Sequence, residues 1–205
     1  MTIEKGAAWG SVAMTPFDTV VAPDEESAAR AVKRGARHVV LAYGDLLRAL
    51  GTGTDATMPV KGRPSLQLPC DLLHVRLDDG EPIAAVSTIL IGSRLHPRVW
   101  ITTGGFIEHL NVAPRAHPND GLIDALEFGH DLAPRELLAI RRRMRLGDHL
   151  PHPRLTMHRD KEHLFHSSSR TPVTIDGRRY GRAKRVHVTV QPDTFVLCVA
   201  NVALG

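Results

Sequence analysis

The chain is poor in residues on which several kinds of function depend. Cysteine occurs twice in 205 residues, and Cys70 and Cys198 stand far apart inside apolar runs. They supply neither a disulfide framework nor a cysteine metal site, and both read as buried thiols in a reducing compartment. Aromatic residues make up 4% of the chain and are not interleaved with basic ones, which removes a stacking platform for single-stranded nucleic acid. No stretch approaches the roughly 18 consecutive apolar residues that a transmembrane segment requires. The opening Met1-Thr2-Ile3-Glu4-Lys5 lacks the apolar core of an export signal, so the expected location is cytoplasmic. There is no Gly-x-x-x-x-Gly-Lys phosphate loop.

What remains is a chain long enough to bury a core, as one domain or two small ones. Its formal net charge is +4, with twelve histidines besides. That excess suits partners bearing phosphate or acidic headgroups but is too small to single out nucleic acid.

The patterning divides the chain near residue 64. Residues 1 to 16 show no period and read as an irregular lead. Residues 18–22 read as a strand stopped by Pro23, 24–34 as a helix with acids in its first turn, 37–43 as a strand, and 45–50 as a short helix. That order implies a small β-α-β-α unit with parallel strands. Residues 51–64, rich in Gly, Thr and Pro, read as a linker. From residue 65 the character is β: strands at 66–77, 83–92, 99–103 and 123–128, then 154–158, 163–166, 173–176, 185–190 and 195–199. The alternation Val186-His187-Val188-Thr189-Val190 points to an antiparallel sheet with one wet face. One helix interrupts, with Pro134 at its start and an apolar stripe of Leu137, Ile140 and Met144. The expected fold is α+β, with a reduced α/β region over 1–64 and a mainly antiparallel β-sandwich over 65–205.

Several segments carry candidate chemistry. Asn111-Val112-Ala113-Pro114 runs into His117-Pro118-Asn119-Asp120-Gly121-Leu122-Ile123-Asp124, a shaped turn with two carboxylates. Such a turn suits a hard divalent cation, or is a solvated turn whose Asn and Asp cap their own backbone. Ile175-Asp176-Gly177 is either ordinary turn chemistry or a second carboxylate that shares a cation with Asp120 and accepts a hydroxyl proton. The nearest approaches to a phosphate cradle are Gly44-Asp45-Leu46 and Gly51-Thr52-Gly53. His149, His152, His158, His163 and His166 lack zinc-ligand spacing and read as surface or half-buried histidines. Arg141-Arg142-Arg143 with Arg145 forms a basic helix face that is either simply solvated or drawn to anionic lipid headgroups.

Taken in order, the Asn111–Pro114 and His117–Asp124 segments, the basic helix, His149-Leu150-Pro151-His152-Pro153-Arg154, Val173-Thr174-Ile175-Asp176-Gly177 and the two closing strands resemble the C-terminal domain of bacterial diacylglycerol kinases and their sphingosine-kinase relatives. The resemblance spans roughly residues 66 to 200. It implies a lipid-kinase fold and phosphorylation of a lipid hydroxyl from ATP. It also implies a magnesium ion held by the Asp120 side chain and the Leu122 carbonyl, with His117 at a third, variable ligand position, and Asp176 as the catalytic residue. Two features depart from the family. Gly44 and Asp45 stand where a Gly-Gly-Asp-Gly-Thr nucleotide loop belongs, but without the glycine pair or the threonine. Arg178 replaces an acid after Asp176-Gly177, and a neighbouring cation is expected to lower the Asp176 pKa. Three readings follow: a compact lipid kinase, a catalytically degenerate relative that binds a lipid or other ligand, and a half-enzyme completed by a partner protein. Exposed sheet edges would also permit a homodimer.

Overall fold

A computed structural model describes residues 9–51 and 58–200. In chain order the elements are β1 (Ser11–Met14), β2 (Val20–Ala22), α1 (Glu25–Lys33), β3 (His38–Leu41), α2 (Asp45–Ala49), β4 (Pro64–Leu77), β5 (Ile83–Ala85) and β6 (Thr88–Gly92). There follow β7 (Pro97–Thr102), β8 (Phe106–Ile107), β9 (Leu110–Asn111), β10 (Ile123–Phe128), α3 (Pro134–Met144), β11 (Leu155–Asp160), β12 (Glu162–Ile175) and β13 (Arg178–Val199). The protein is β-rich, and its pairings are antiparallel except β2 with β3 and β3 with β13.

One eleven-stranded sheet holds all strands but β8 and β9, along the path β1-β4-β13-β12-β6-β7-β10-β11. This differs from two stacked sheets. Each of β12 and β13 was expected as two separate strands, yet each runs through without a break. Register shifts at His166/Thr171 and Gln191/Phe195 mark where they bend, as bulges do. The bending brings β12 back against β10 and β11, so Phe165 and Ala125 lie in one core with Val75, Ile89, Ile101 and Val186.

The sheet also takes in the N-terminal region. β1, expected as irregular chain, pairs with β4, and β3 pairs with β13. Ala28, Ala29 and Val32 of α1 and Leu46 of α2 join Leu68, Cys70, Phe195 and Leu197 in a second core. A third core lies beneath α3, whose Leu137, Ile140 and Met144 pack on Trp100, Leu126 and Phe128. Burying each of those three side chains contributes about 1.5–3 kcal/mol. Both cysteines are buried and unpaired.

Candidate functional site

The sheet register sets the distance between the two aspartate turns. Asp176 N–H donates to the Thr88 carbonyl, Thr88 pairs with Thr102, and Thr102 pairs with Asp124. Both turns therefore lie at one end of the sheet, three strand spacings apart. Measured along the sheet at about 4.8 Å per spacing, Asp176 and Asp124 are separated by roughly 14 Å.

The Asp120 turn is shaped by Asp71, the one carboxylate in β4. Asp71 is buried, and accepts from the Gly121 N–H at 2.7 Å, the Asp193 N–H at 3.0 Å and the Asn119 amide at 3.4 Å. Burial, opposed by the Gly121 N–H bond, pushes its pKa up to about 6. Asn119 also donates to Asp193 at 2.8 Å. Asp120 accepts from the Leu122 N–H at 3.0 Å, closing an Asx turn. Its other oxygen pairs with the Arg159 guanidinium, which also reaches Asp124 at 3.7 Å. His117 Nδ1 accepts from the Asn119 N–H at 3.2 Å, and its ring meets Trp9 edge-on at 4.5 Å between centroids. Burial lowers its pKa. Thus the three residues expected around a magnesium ion lie in one turn, with Arg159 supplying the positive charge beside Asp120. Among the described residues, no three His, Cys, Asp or Glu side chains converge as a metal cage.

The Asp176 carboxylate is buried, although the turn's Gly177 and Arg178 are exposed. Residues 83–92, expected as one strand, break between β5 and β6 because their backbone turns toward this carboxylate. Asp176 Oδ2 accepts from the Val86 N–H at 2.8 Å, and Oδ1 accepts from Ser87 at 3.0 Å and Thr88 at 2.9 Å. Burial nevertheless pushes its pKa up to about 6 against those three bonds. This corrects the expected effect of Arg178: that guanidinium turns away to Glu26 at 2.7 Å and lies over the Tyr180 ring. Burial decides the direction of the shift.

Glu25 is the residue that sequence reasoning missed. Asp24 caps α1 by accepting from the Ser27 N–H, and Glu25 follows at the first helical position, only 7% exposed. Arg178 holds the neighbouring Glu26 outward, while Glu25 points in. Its Oε1 accepts from the Leu46 N–H at 2.7 Å, at the start of α2. Burial first, and the Asp176 charge second, push the Glu25 pKa up to about 8. Gly44 has φ +153°, and a Cβ there would come within 2.7 Å of the Glu25 side chain. Glycine is needed at 44 because Glu25 occupies that space. Asp45 accepts from the Glu108 N–H at 2.8 Å, and burial pushes its pKa up to about 6. The structure thus brings Gly44 and Asp45 to the Asp176 turn, with Glu25 between them. The Gly51–Thr54 segment extends beyond the described residues.

One of the candidate histidines is structural. His149 is fully buried and its Nε2–H donates to the Val112 carbonyl at 2.9 Å. A polar cleft of about 470 Å³ lies between Arg76, Asp79, Glu81, Leu164 and Arg185, and shares no residue with either aspartate turn.

No protein-family model matches the sequence, and neither does any curated protein. Solved structures do match in fold. A chain from Bacillus anthracis strain Sterne, provisionally named a diacylglycerol kinase, superposes with a TM-score of 0.58 at 10% identity, over 91% of this chain and 79% of its own. A second chain from that strain, named as a diacylglycerol kinase, gives 0.55 at 10% identity, over 92% and 78%. A third, also provisionally named, gives 0.55 at 10%, over 92% and 80%. At that identity the likeness concerns the fold, and the fold of this chain is diacylglycerol-kinase-like.

Proposed function

We propose that this chain keeps the lipid-kinase fold without phosphoryl transfer, and that it binds a lipid or a related ligand. Glu25 carries the reading. Phosphoryl transfer depends above all on positioning the nucleotide phosphates, commonly on backbone N–H groups that a glycine-rich loop leaves open. Here the Leu46 N–H next to Gly44 already serves a carboxylate, and the Glu25 side chain fills the space over Gly44. A triphosphate entering there would meet the acids of Glu25, Asp45 and Asp176. Asp176 is itself engaged by three backbone N–H groups and buried, which suits a structural acceptor better than a base meeting a substrate hydroxyl. We read the Asp120 turn as neutralised by Arg159, and assign magnesium no step.

One observation favours the second reading, an active ATP-dependent lipid kinase acting alone or with its nucleotide-binding half supplied by a partner. The raised Asp176 pKa, about 6, lies near the operating pH of a general base. That reading needs Glu25 to vacate the Leu46 N–H. Incubation with ATP, magnesium and diacylglycerol in mixed micelles separates the two. The proposed function gives no phosphatidic acid above the level of an Asp176→Asn control. Product formation that Asp176→Asn abolishes would establish the kinase instead.

A further inference from the structure

With Leu137, Ile140 and Met144 committed to the core, the opposite face of α3 follows from the 3.6-residue period. It carries Arg135, Leu138, Ala139 and Arg142, and continues past the C-terminal end through Arg145 and Leu146. No acid lies on it. Leu138 is 52% exposed and Leu146 83% exposed. Of the acids nearby, Glu136 pairs with His152 and Arg154 and Asp148 with Arg143, while the exposed Asp131 precedes the helix. Arg141 is held at the flank by the Arg94 carbonyl and the Trp100 ring. It thereby ties the β6–β7 turn, which presents Leu95 at 72% exposure, to this side of the helix. Arg135, Arg142 and Arg145 have no ion-pair or hydrogen-bond partner among the described residues.

Exposed leucines call for an apolar medium and unpaired arginines for anions. The boundary between headgroups and acyl chains of an anionic bilayer provides both at one depth. A nucleic acid would satisfy the arginines, leave the leucines in water, and find no aromatic side chain on this face to stack against.

We propose that the outer face of α3 docks the protein on anionic membrane surfaces, with Leu138 and Leu146 entering the interface and Arg135, Arg142 and Arg145 contacting headgroup phosphates. The inference deepens the lipid part of the proposed function and is independent of whether phosphoryl transfer occurs, since α3 lies apart from Glu25 and Asp176. Co-sedimentation of the full chain with phosphatidylcholine vesicles, with and without phosphatidylglycerol, tests it. Binding is expected only with phosphatidylglycerol and should weaken as salt is raised. Each arginine removed should cost about fivefold in partitioning, so the triple variant Arg135→Ala, Arg142→Ala, Arg145→Ala should lose roughly a hundredfold. The corresponding triple lysine variant should retain most of the binding. Leu138→Ser with Leu146→Ser should lose at least about tenfold. These positions are exposed, so unchanged thermal melts should show that the variants remain folded. Absence of binding to phosphatidylglycerol vesicles, equal binding to phosphatidylcholine alone, or full affinity in either the alanine or the serine variant would overturn the proposal. Tighter binding to duplex RNA than to the anionic vesicles would overturn the lipid assignment.

Discussion

Asp120 and Asp176 each precede a glycine in a turn at the same end of one sheet. Asp120 stands at the rim and balances its charge with the half-exposed Arg159, while one oxygen closes its own turn. Asp176 lies beneath the surface, where three backbone N–H groups and a second acid, Glu25, surround it. The same dipeptide is thus a local turn device in one place and the centre of a buried polar cluster in the other. Surroundings, rather than the Asp-Gly pair, set the energetic weight of each.

The largest contrast should appear on truncation. Asp176→Ala leaves three buried N–H donors without their acceptor, at a cost of about 1–3 kcal/mol for each donor left unmet. A total loss of at least about 3 kcal/mol is expected in urea unfolding, and a loss below about 1 kcal/mol would show that water replaces the carboxylate freely.

The pH dependence sharpens the comparison next. Glu25 and Asp176 both have folded-state pKa values above their ordinary ones, reaching about 8 and about 6. Protonation therefore favours the folded state. Their contribution is complete below the ordinary carboxylate range and is lost as pH rises through those values. Asp45, Asp71 and Asp124, also raised to about 6 by burial, act in the lower part of this window. His117, His149 and His163, lowered by burial, act with the opposite sign below their ordinary 6.5. Between about pH 6.5 and 8.5 Glu25 dominates, so thermal stability should fall across that range. Glu25→Gln should flatten the fall. An unchanged slope in that variant would remove Glu25 from the account.

A smaller effect is expected at the rim. Asp120→Ala removes a partly exposed ion pair and one turn hydrogen bond, for about 1 kcal/mol. Magnesium should leave the melting temperature of wild type and variant alike. A magnesium shift seen only in the wild type would make the turn a cation site.

The parts of this arrangement that the sequence made legible are local. Pro134 and the 137/140/144 spacing located α3 and its buried face, and residues 123–128 were recognisable as a strand following the turn residues of 117–121. Asp120, Leu122 and His117 fall in one turn because they are adjacent in the chain. Pairings across long separations carried no such signal. β1 is a strand only because β4 lies beside it, and β13 passes through polar residues 191–194 as a bulge between two segments that both pair with β4. Glu25 looked like ordinary N-terminal helix charge, and nothing in residues 24–34 announces that it meets Leu46 and Asp176. Asp71 left a cue, the one carboxylate in β4 flanked by Cys70, Leu72 and Leu73. Arg178 misled because sequence adjacency to Asp176 is not spatial adjacency of side chains.

The claim that Glu25 stands where a nucleotide phosphate would need to bind is tested most directly by thermal shift with millimolar ATP and magnesium. A ligand of the folded state raises the melting temperature by an amount that grows with the logarithm of its concentration over its Kd. The account predicts no shift for the wild-type chain. A clear rise with ATP, reduced by replacing Asp45 or Asp176, would contradict it and restore the nucleotide site.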